Sequence, residues 1–446
     1  MRRRVSFKTL GCRLNQAETE AVATELLRLG WNIVEFGLPA DVVIVNSCTV
    51  TNSADRKSRS VMKQALSAVD APHEGFVVMT GCYVEEHRRR IAADACTYYV
   101  DNGHKYLIPQ LIDAHFQGEP PPECIESNRD PFGFSTAESV FRTRALVKIQ
   151  DGCDHFCSYC VIPFVRGRAV SRNFDDILKS VVEALNSGYR EIVLTGVNMG
   201  RWQEGSRDFV QLVAAILSLE GDFRLRLGSI EPDHSIHQLV DLMSHPKMTS
   251  HLHLCLQSGS ERMLRAMRRQ YTAAYFETLV GEFRMRMPQF NLTTDVIVGF
   301  PGETGTDFRD TLELSRRIGF GHIHVFPYSR RDGTKAGDWE CQVDEGVKKA
   351  RCALLRQLSL ESQKSFRESL IGTSQKVLVE SVEQRVDASP RARGFSLPYV
   401  PVIFDIPSSY RVDQAKNRFW DVRIERLAMG DNPDLIGTPM SGYVHR

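Results

Sequence analysis

Three cysteines stand within the stretch "DGCDHFCSYCVIP": Cys153, Cys157 and Cys160. A closed structural zinc site uses four protein ligands. Three thiolates can instead hold three corners of a four-iron cube and leave one iron open to an outside ligand. Soft thiolates suit zinc and iron–sulfur clusters alike, so spacing alone leaves the metal open. Phe156 and Tyr159 would cover a cluster and exclude water, and no fourth thiol or paired histidine follows closely. His155 reads as a loop residue. A second, dispersed set consists of Cys12, Cys48 and Cys82, each at the end of a strand-like run: "RVSFKTLGC", "DVVIVNSC" and "GFVVMTGC". In a parallel α/β sheet the carboxyl ends of the strands share one edge, where ligands bind. Cysteines about 35 residues apart would converge there. A single strand-ending cysteine is an ordinary small hydrophobe; three in equivalent places suggest a site.

These thiols need a scaffold, and the chain reads as three regions. Residues 1–125 alternate strand and helix patterns, with Val22, Leu26 and Leu27 on one helix face and Gly30 as the stop. A polar, Pro-rich passage follows, read as a linker over 126–140. Residues 141–371 hold six strand candidates, "ALVKIQ", "REIVLTG", "FRLRLGS", "HLHLCLQ", "NLTTDVIVGF" and "HIHVFPY", alternating with helices. One helix has Phe174, Ile177, Leu178, Val181, Val182 and Leu185 at helical spacing, and another Phe209, Leu212, Val213, Ile216 and Leu217. Six βα units in a row predict a partial (βα)6 barrel with its chemistry at the carboxyl ends of the strands. A charged trailing helix closes this region. Residues 372–446 alternate as β-strands and predict a small all-β domain. The fold class is thus α/β with a C-terminal β module.

Other residues fall at strand ends. Thr195, Gly196 and Asn198 follow the second barrel strand; Glu231 and Gln257 end the third and fourth. Asp295 lies inside an apolar strand, where an ionisable group needs a partner. Arg265, Arg268 and Arg269 form a basic cluster that could meet phosphate or carboxylate, or serve as a solvated face. Cys96, Cys124, Cys255, Cys341 and Cys352 are unclustered and read as structural.

With 56 basic against 55 acidic residues the net charge is +1, which excludes a globally basic nucleic-acid binder. No run of about 18 apolar residues predicts a membrane span. The start lacks a secretory signal. A cytoplasmic location is expected, where 11 cysteines would not form a disulfide framework. Charges in the tail nearly balance, leaving local stacking by Phe395, Tyr399 and Trp420 as a route to RNA.

The C-x3-C-x2-C element after the first barrel strand resembles the radical S-adenosylmethionine (SAM) signature. That resemblance implies that the open iron binds SAM and that an electron from the cluster splits it to a 5′-deoxyadenosyl radical. From end to end the chain resembles the radical SAM methylthiotransferases, in "LGCRLNQAETE", "VNSCTVT", "TGCY", "VIPFVRGR", "EIVLTGVN", "GSIEP", "LQSGSERMLRAMRRQYT", "TTDVIVGFPGET" and "HVFPYSRR". The resemblance implies two [4Fe-4S] clusters, on Cys153, Cys157 and Cys160 and on Cys12, Cys48 and Cys82. It implies a SAM pocket drawing on Tyr159, Thr195, Gly196, Asn198, Glu231, Gln257 and Asp295, and a TRAM-like tail. Expected partners are a tRNA anticodon loop, an electron donor and a sulfur source, with no membrane; a monomer is expected. "GCRLNQAET" and "NSCTVTNSADRKSR" resemble the branch that modifies N6-threonylcarbamoyladenosine at position 37. The alternatives are the isopentenyladenosine branch, the branch acting on a ribosomal-protein aspartate and, outside catalysis, a zinc-stabilised nucleic-acid-binding protein.

Overall fold

The apolar runs that end in cysteines become neighbouring strands of one sheet. In the computed structural model, which describes residues 3–69, 75–87, 96–134, 143–386, 388–407, 410, 415–430 and 433–444, β1 (Arg4–Thr9), β2 (Asn32–Val34), β3 (Val42–Ser47), β4 (Phe76–Gly81) and β5 (Thr97–Val100) form a parallel sheet in the order β2-β1-β3-β4-β5. Every residue of β3 and β4 is buried, as expected of strands covered on both faces. The covering helices are α1 (Arg13–Arg28), α2 (Asn52–Ala68), α3 (Cys82–His87) and α4 (Ile108–Gln117). Thr51 caps α2 by accepting from the Ala54 amide, and Gly118, at φ +68, ends α4 in the left-handed conformation. Leu27 does not share the buried face of Val22 and Leu26. It is 42% exposed, because the inward stripe runs through Leu14, Ala17, Ala23 and Leu26.

The six predicted barrel strands are all present: β6 (Ala145–Lys148), β9 (Glu191–Thr195), β12 (Arg224–Leu227), β14 (His251–Leu254), β15 (Asn291–Val298) and β16 (His322–Pro327). Short strands intervene: β7 (Gln150–Asp151), β8 (Val170–Ser171), β10 (Gln203–Glu204), β11 (Arg207–Asp208) and β13 (Ser229–Ile230). The helices are α5 (Ile162–Val165), α6 (Phe174–Asn186), α7 (Phe209–Leu217), α8 (Leu239–Met243), α9 (Glu261–Ala266), α10 (Ala273–Arg286), α11 (Gly305–Ile318) and α12 (Glu345–Glu368). This is the element order of a partial (βα)6 barrel. On α6 the buried stripe is Ile177, Ser180, Val181 and Ala184, and Val182 faces out.

The chain divides into two compact bodies that are discontinuous in sequence. One comprises residues 1–187, 194–206 and 329–338; the other 188–193, 207–328 and 339–446. In the second body β13, β14, β15 and β16 form a parallel sheet, and β17 (Ser374–Arg385), β18 (Ala388–Phe395), β19 (Pro401–Asp405), β20 (Phe419–Leu427) and β21 (Leu435–Val444) close a small barrel in the order β17-β18-β19-β21-β20. Closure removes exposed strand edges. Trp420 is not available for stacking on RNA: it is buried in this barrel's core, packed against Phe404 and Tyr410. Phe395 and Tyr399 stack on each other, ring centroids 4.5 Å apart, and the Arg226 guanidinium lies 3.3 Å from the Tyr399 ring. Arg224 ties the same corner down, donating to the Phe395 carbonyl at 2.7 Å and to Glu191 at 2.6 Å.

Candidate iron–sulfur and SAM site

Cys12, Cys48 and Cys82 follow or adjoin the carboxyl ends of β1, β3 and β4, three adjacent strands. Cys48 and Cys82 are buried and Cys12 is exposed; all are free thiols. Burial pushes the Cys48 thiol up to about 11, and the neighbouring Cys82 and Cys12 push the same way. Burial also raises Cys82, against the pull of Arg166 and Lys105. Ionising these thiols therefore needs a metal or nearby cations. The turn at Gly11 is cut close: at φ +90, a Cβ there would lie 2.9 Å from both Cβ and Sγ of Cys48. The Ser58 hydroxyl donates to the Cys48 carbonyl at 2.9 Å and accepts from its amide at 3.3 Å, fixing that loop. Asn102 Nδ2 lies 3.9 Å from Cys82 Sγ and donates to the Val165 carbonyl at 2.8 Å.

Beneath these thiols is a buried ionic network that the sequence reading did not single out. Arg166 Nη1 donates to Glu18 Oε1 and Asp151 Oδ1, each at 3.0 Å, and Nη2 donates to Asn15 Oδ1 at 2.6 Å. Lys148 donates to Glu18 at 2.8 Å and lies 2.7 Å from Asp151, and Lys105 pairs with Glu18. All five charged side chains are at least 90% buried. Burial alone would raise Glu18 and Asp151; the surrounding cations outweigh it and hold both carboxyls below their usual range. Three cations face two carboxylates, an excess of one positive charge. A doubly positive four-iron core on three thiolates carries one negative charge, so the network is charge-matched to such a cluster. Polar Asn15 and Glu18 on the buried side of α1 are traces of it in the sequence.

A second buried arginine lies in the same body. Arg331 donates to Asp55 Oδ2 at 2.7 Å, to Thr49 Oγ1 at 2.9 Å and to Glu86 at 2.6 Å. It pins the loop after Cys48 and helix α3, which begins at Cys82.

Cys153, Cys157 and Cys160 are half-buried in the loop after β7. Gly152, at φ +67, sits so close to the Arg168 carbonyl (1.9 Å from a notional Cβ) that only glycine fits. The Cys160 amide donates to the Cys157 carbonyl at 3.1 Å and the His155 amide approaches Cys153 Sγ at 3.5 Å. The phenyl rings of Phe156 and Phe164 meet edge to face at 6.0 Å. Beside this loop Thr195 ends β9 and its carbonyl accepts from the Ile149 amide. Gln150 Oε1 accepts from the amides of Val197 and Asn198 at 3.0 and 2.7 Å. Gly196 leaves no room for a side chain, a Cβ falling 2.9 Å from Met199. Asn198 Oδ1 is buried with no hydrogen-bond partner, an acceptor suited to an ammonium group.

In the second body Glu231 pairs with Arg269, so Arg269 leaves the basic cluster while Arg265 and Arg268 stay exposed. Gln257, at φ +64, is tied to β15 through the Asp295 carbonyl at 2.8 Å. Asp295 finds the partner its position demanded: its Oδ2 lies 3.3 Å from His253 Nε2.

Neither thiol set has the close spacing of a single-ion site. A tetrahedral zinc–thiolate site, with Zn–S near 2.3 Å, holds its sulfurs about 4 Å apart. Among the described residues, the His, Cys, Asp or Glu trio whose ligand atoms all lie within 4.8 Å of one another is His253, Asp295 and His324, and not either thiol triad.

Two family models match the chain: Uncharacterized protein family UPF0004 over residues 4–100 and the Radical SAM superfamily over residues 147–315. Threonylcarbamoyladenosine tRNA methylthiotransferase MtaB of Bacillus subtilis (strain 168) is 33% identical over 408 residues, 90% of each chain. The protein of that name from Chlamydia pneumoniae is 34% identical over 434 residues, 96% of each chain. The tRNA-2-methylthio-N(6)-dimethylallyladenosine synthase of Maricaulis maris (strain MCS10) is 33% identical over 405 residues, 85% of this chain and 87% of its own. Among solved structures, the radical SAM methyltransferase TsrM from Kitasatospora setae superposes with a TM-score of 0.53 at 15% identity, covering 76% of this chain and 77% of that one, a likeness of fold.

Proposed function

Because the chain belongs to the radical SAM methylthiotransferase family, whose members use SAM and [4Fe-4S] clusters, we propose that it converts N6-threonylcarbamoyladenosine at position 37 of tRNA to its 2-methylthio derivative. When bound, the clusters and SAM would supply the hydrogen abstraction at C2 of the adenine and the methyl group, and the second cluster would take part in sulfur delivery. The residues assigned to hold them are Cys153, Cys157 and Cys160 for the SAM-binding cluster and Cys12, Cys48 and Cys82 for the second. Tyr159, Thr195, Gly196, Asn198, Glu231, Gln257 and Asp295 are assigned to SAM. Asn198 carries the clearest support, its buried Oδ1 lacking a partner. Arg166 would offset the charge of the second cluster, and Arg331 holds the loops bearing two of its assigned ligands.

The substrate assignment rests on one observation: relatives named for threonylcarbamoyladenosine align over as much as 96% of the chain, in keeping with the resemblance carried by the "GCRLNQAET" and "NSCTVTNSADRKSR" segments. An electron donor and a sulfur source complete the reaction, and the closed C-terminal barrel is assigned to tRNA. The division 1–125, 126–140, 141–371 and 372–446 is kept as the proposed domain plan. Among the described residues no helix is long and apolar enough to cross a membrane. The test is nucleoside mass spectrometry of tRNA from a strain lacking the gene. Loss of 2-methylthio-N6-threonylcarbamoyladenosine, with the isopentenyl product intact, is expected. Loss of the isopentenyl product instead, or a mass change confined to a ribosomal protein, overturns the assignment.

A further inference from the structure

We propose that His253, Asp295 and His324 form a binding site for a divalent transition-metal ion, distinct from both thiol triads. The three residues stand on neighbouring parallel strands, β14, β15 and β16. Asp295 is the register partner of His324, and Thr293, two residues before Asp295 and hence on the same face, is that of His253. One ligand atom from each of the three lies within 4.8 Å of the others, and His253 Nε2 is 3.3 Å from Asp295 Oδ2. The Thr293 hydroxyl is 3.0 Å from His253 Nδ1, which leaves Nε2 as the nitrogen turned toward Asp295. Anchoring the remote nitrogen in this way is how metal-binding histidines are oriented.

Two imidazoles and one carboxylate on one face make the donor set of open zinc and ferrous sites. A rigid sheet supplies all three donors, so little ordering remains to be done on binding. Burial is graded from His253, buried, through Asp295, half-buried, to His324, exposed. The remaining coordination positions therefore open outward, to water or to an oxygen donor. A carboxylate can ligate with one oxygen and accept a hydrogen bond with the other, so the site is compatible with the contact to SAM proposed for Asp295. It does not depend on the choice of tRNA substrate.

The test uses cluster-loaded holoenzyme, equilibrated anaerobically with zinc sulfate and freed of excess by gel filtration. Metal analysis should find about one zinc per chain beyond a full iron complement of about eight. The zinc absorption edge should report a first shell of nitrogen and oxygen. Asp295→Asn and His324→Gln should each lower retained zinc by more than about tenfold with iron and melting temperature unchanged; both side chains are partly solvent-accessible, and if one variant fails to fold the other carries the test. Absence of retained zinc, a shell with sulfur near 2.3 Å, or undiminished retention by both variants overturns the proposal.

Discussion

Replacing Arg166 by glutamine removes the cation that binds two carboxylates at once. Nη1 contacts Glu18 and Asp151 at 3.0 Å, and Nη2 contacts Asn15 at 2.6 Å. Glutamine can satisfy one of these partners. Glu18 and Asp151 would then share Lys105 and Lys148 in a region where all four are buried. Breaking a buried ion pair from one side costs about 3–5 kcal/mol, because it strands the opposite charge. For a body of roughly 200 residues that corresponds to a fall in melting temperature of about 6–20 °C. Arg168, two residues on, gives the control. Its ion pair with Asp154 is 72% and 46% exposed, and Arg168→Gln should cost at most about 1 kcal/mol. Circular dichroism melts of the two holoenzyme variants under anaerobic conditions decide the matter. Equal shifts for both would refute the reasoning that burial sets the energetic weight of the Arg166 network.

Four further outcomes are expected. Gly11→Ala should lose about four of eight irons while SAM cleavage persists, since the added Cβ meets Cys48 at 2.9 Å in a left-handed turn; iron and sulfide analysis reads this. Changing Cys153, Cys157 and Cys160 together to Ala should abolish SAM cleavage, whereas the triple change at Cys12, Cys48 and Cys82 should spare cleavage and lose methylthiolation, read by product chromatography. Thr51→Ala, which removes the α2 cap, should cost about 1 kcal/mol in urea denaturation. Asp307 is held below the usual carboxylate range: its burial, which alone would raise it, is outweighed by bonds from Arg262, Thr304 and Ser260. A lowered folded pKa contributes stability that is fully present above the unfolded value and is lost progressively as pH falls from there through the folded value. Asp307→Asn should therefore destabilise by about 1–3 kcal/mol near neutrality, with the difference from the parent beginning to narrow below about pH 4 and vanishing only in stronger acid.

How much of this was legible in the sequence differed with the range of the signal. Local patterns carried the strands: β3 and β4 are unbroken apolar runs, and their cysteines follow directly. Helix faces were legible apart from Leu27 and Val182, apolar residues that lie about one residue off the buried stripe. The charge network was not legible, because Glu18, Lys105, Lys148, Asp151 and Arg166 meet only in space. The His253, Asp295 and His324 trio had a trace in "HLH" and "HIH", whose alternation puts like residues on one strand face, but pairing register was needed to join them. Trp420 was misjudged because an aromatic at a strand end looks the same whether it faces solvent or a barrel core.

The discontinuity of the first body bears on how the protein emerges from the ribosome. The three strands that bring Cys12, Cys48 and Cys82 together are complete by residue 87, yet Arg331, which neutralises Asp55 and Glu86 behind those loops, comes about 240 residues later. At 5–20 residues per second that interval lasts roughly 12–50 s. Until Arg331 is made Asp55 and Glu86 lack its guanidinium, and Glu18 gains Lys105, Lys148 and then Arg166 in turn. A fragment of residues 1–125 would carry Glu18 with Lys105 but without Lys148, Arg166 or Arg331.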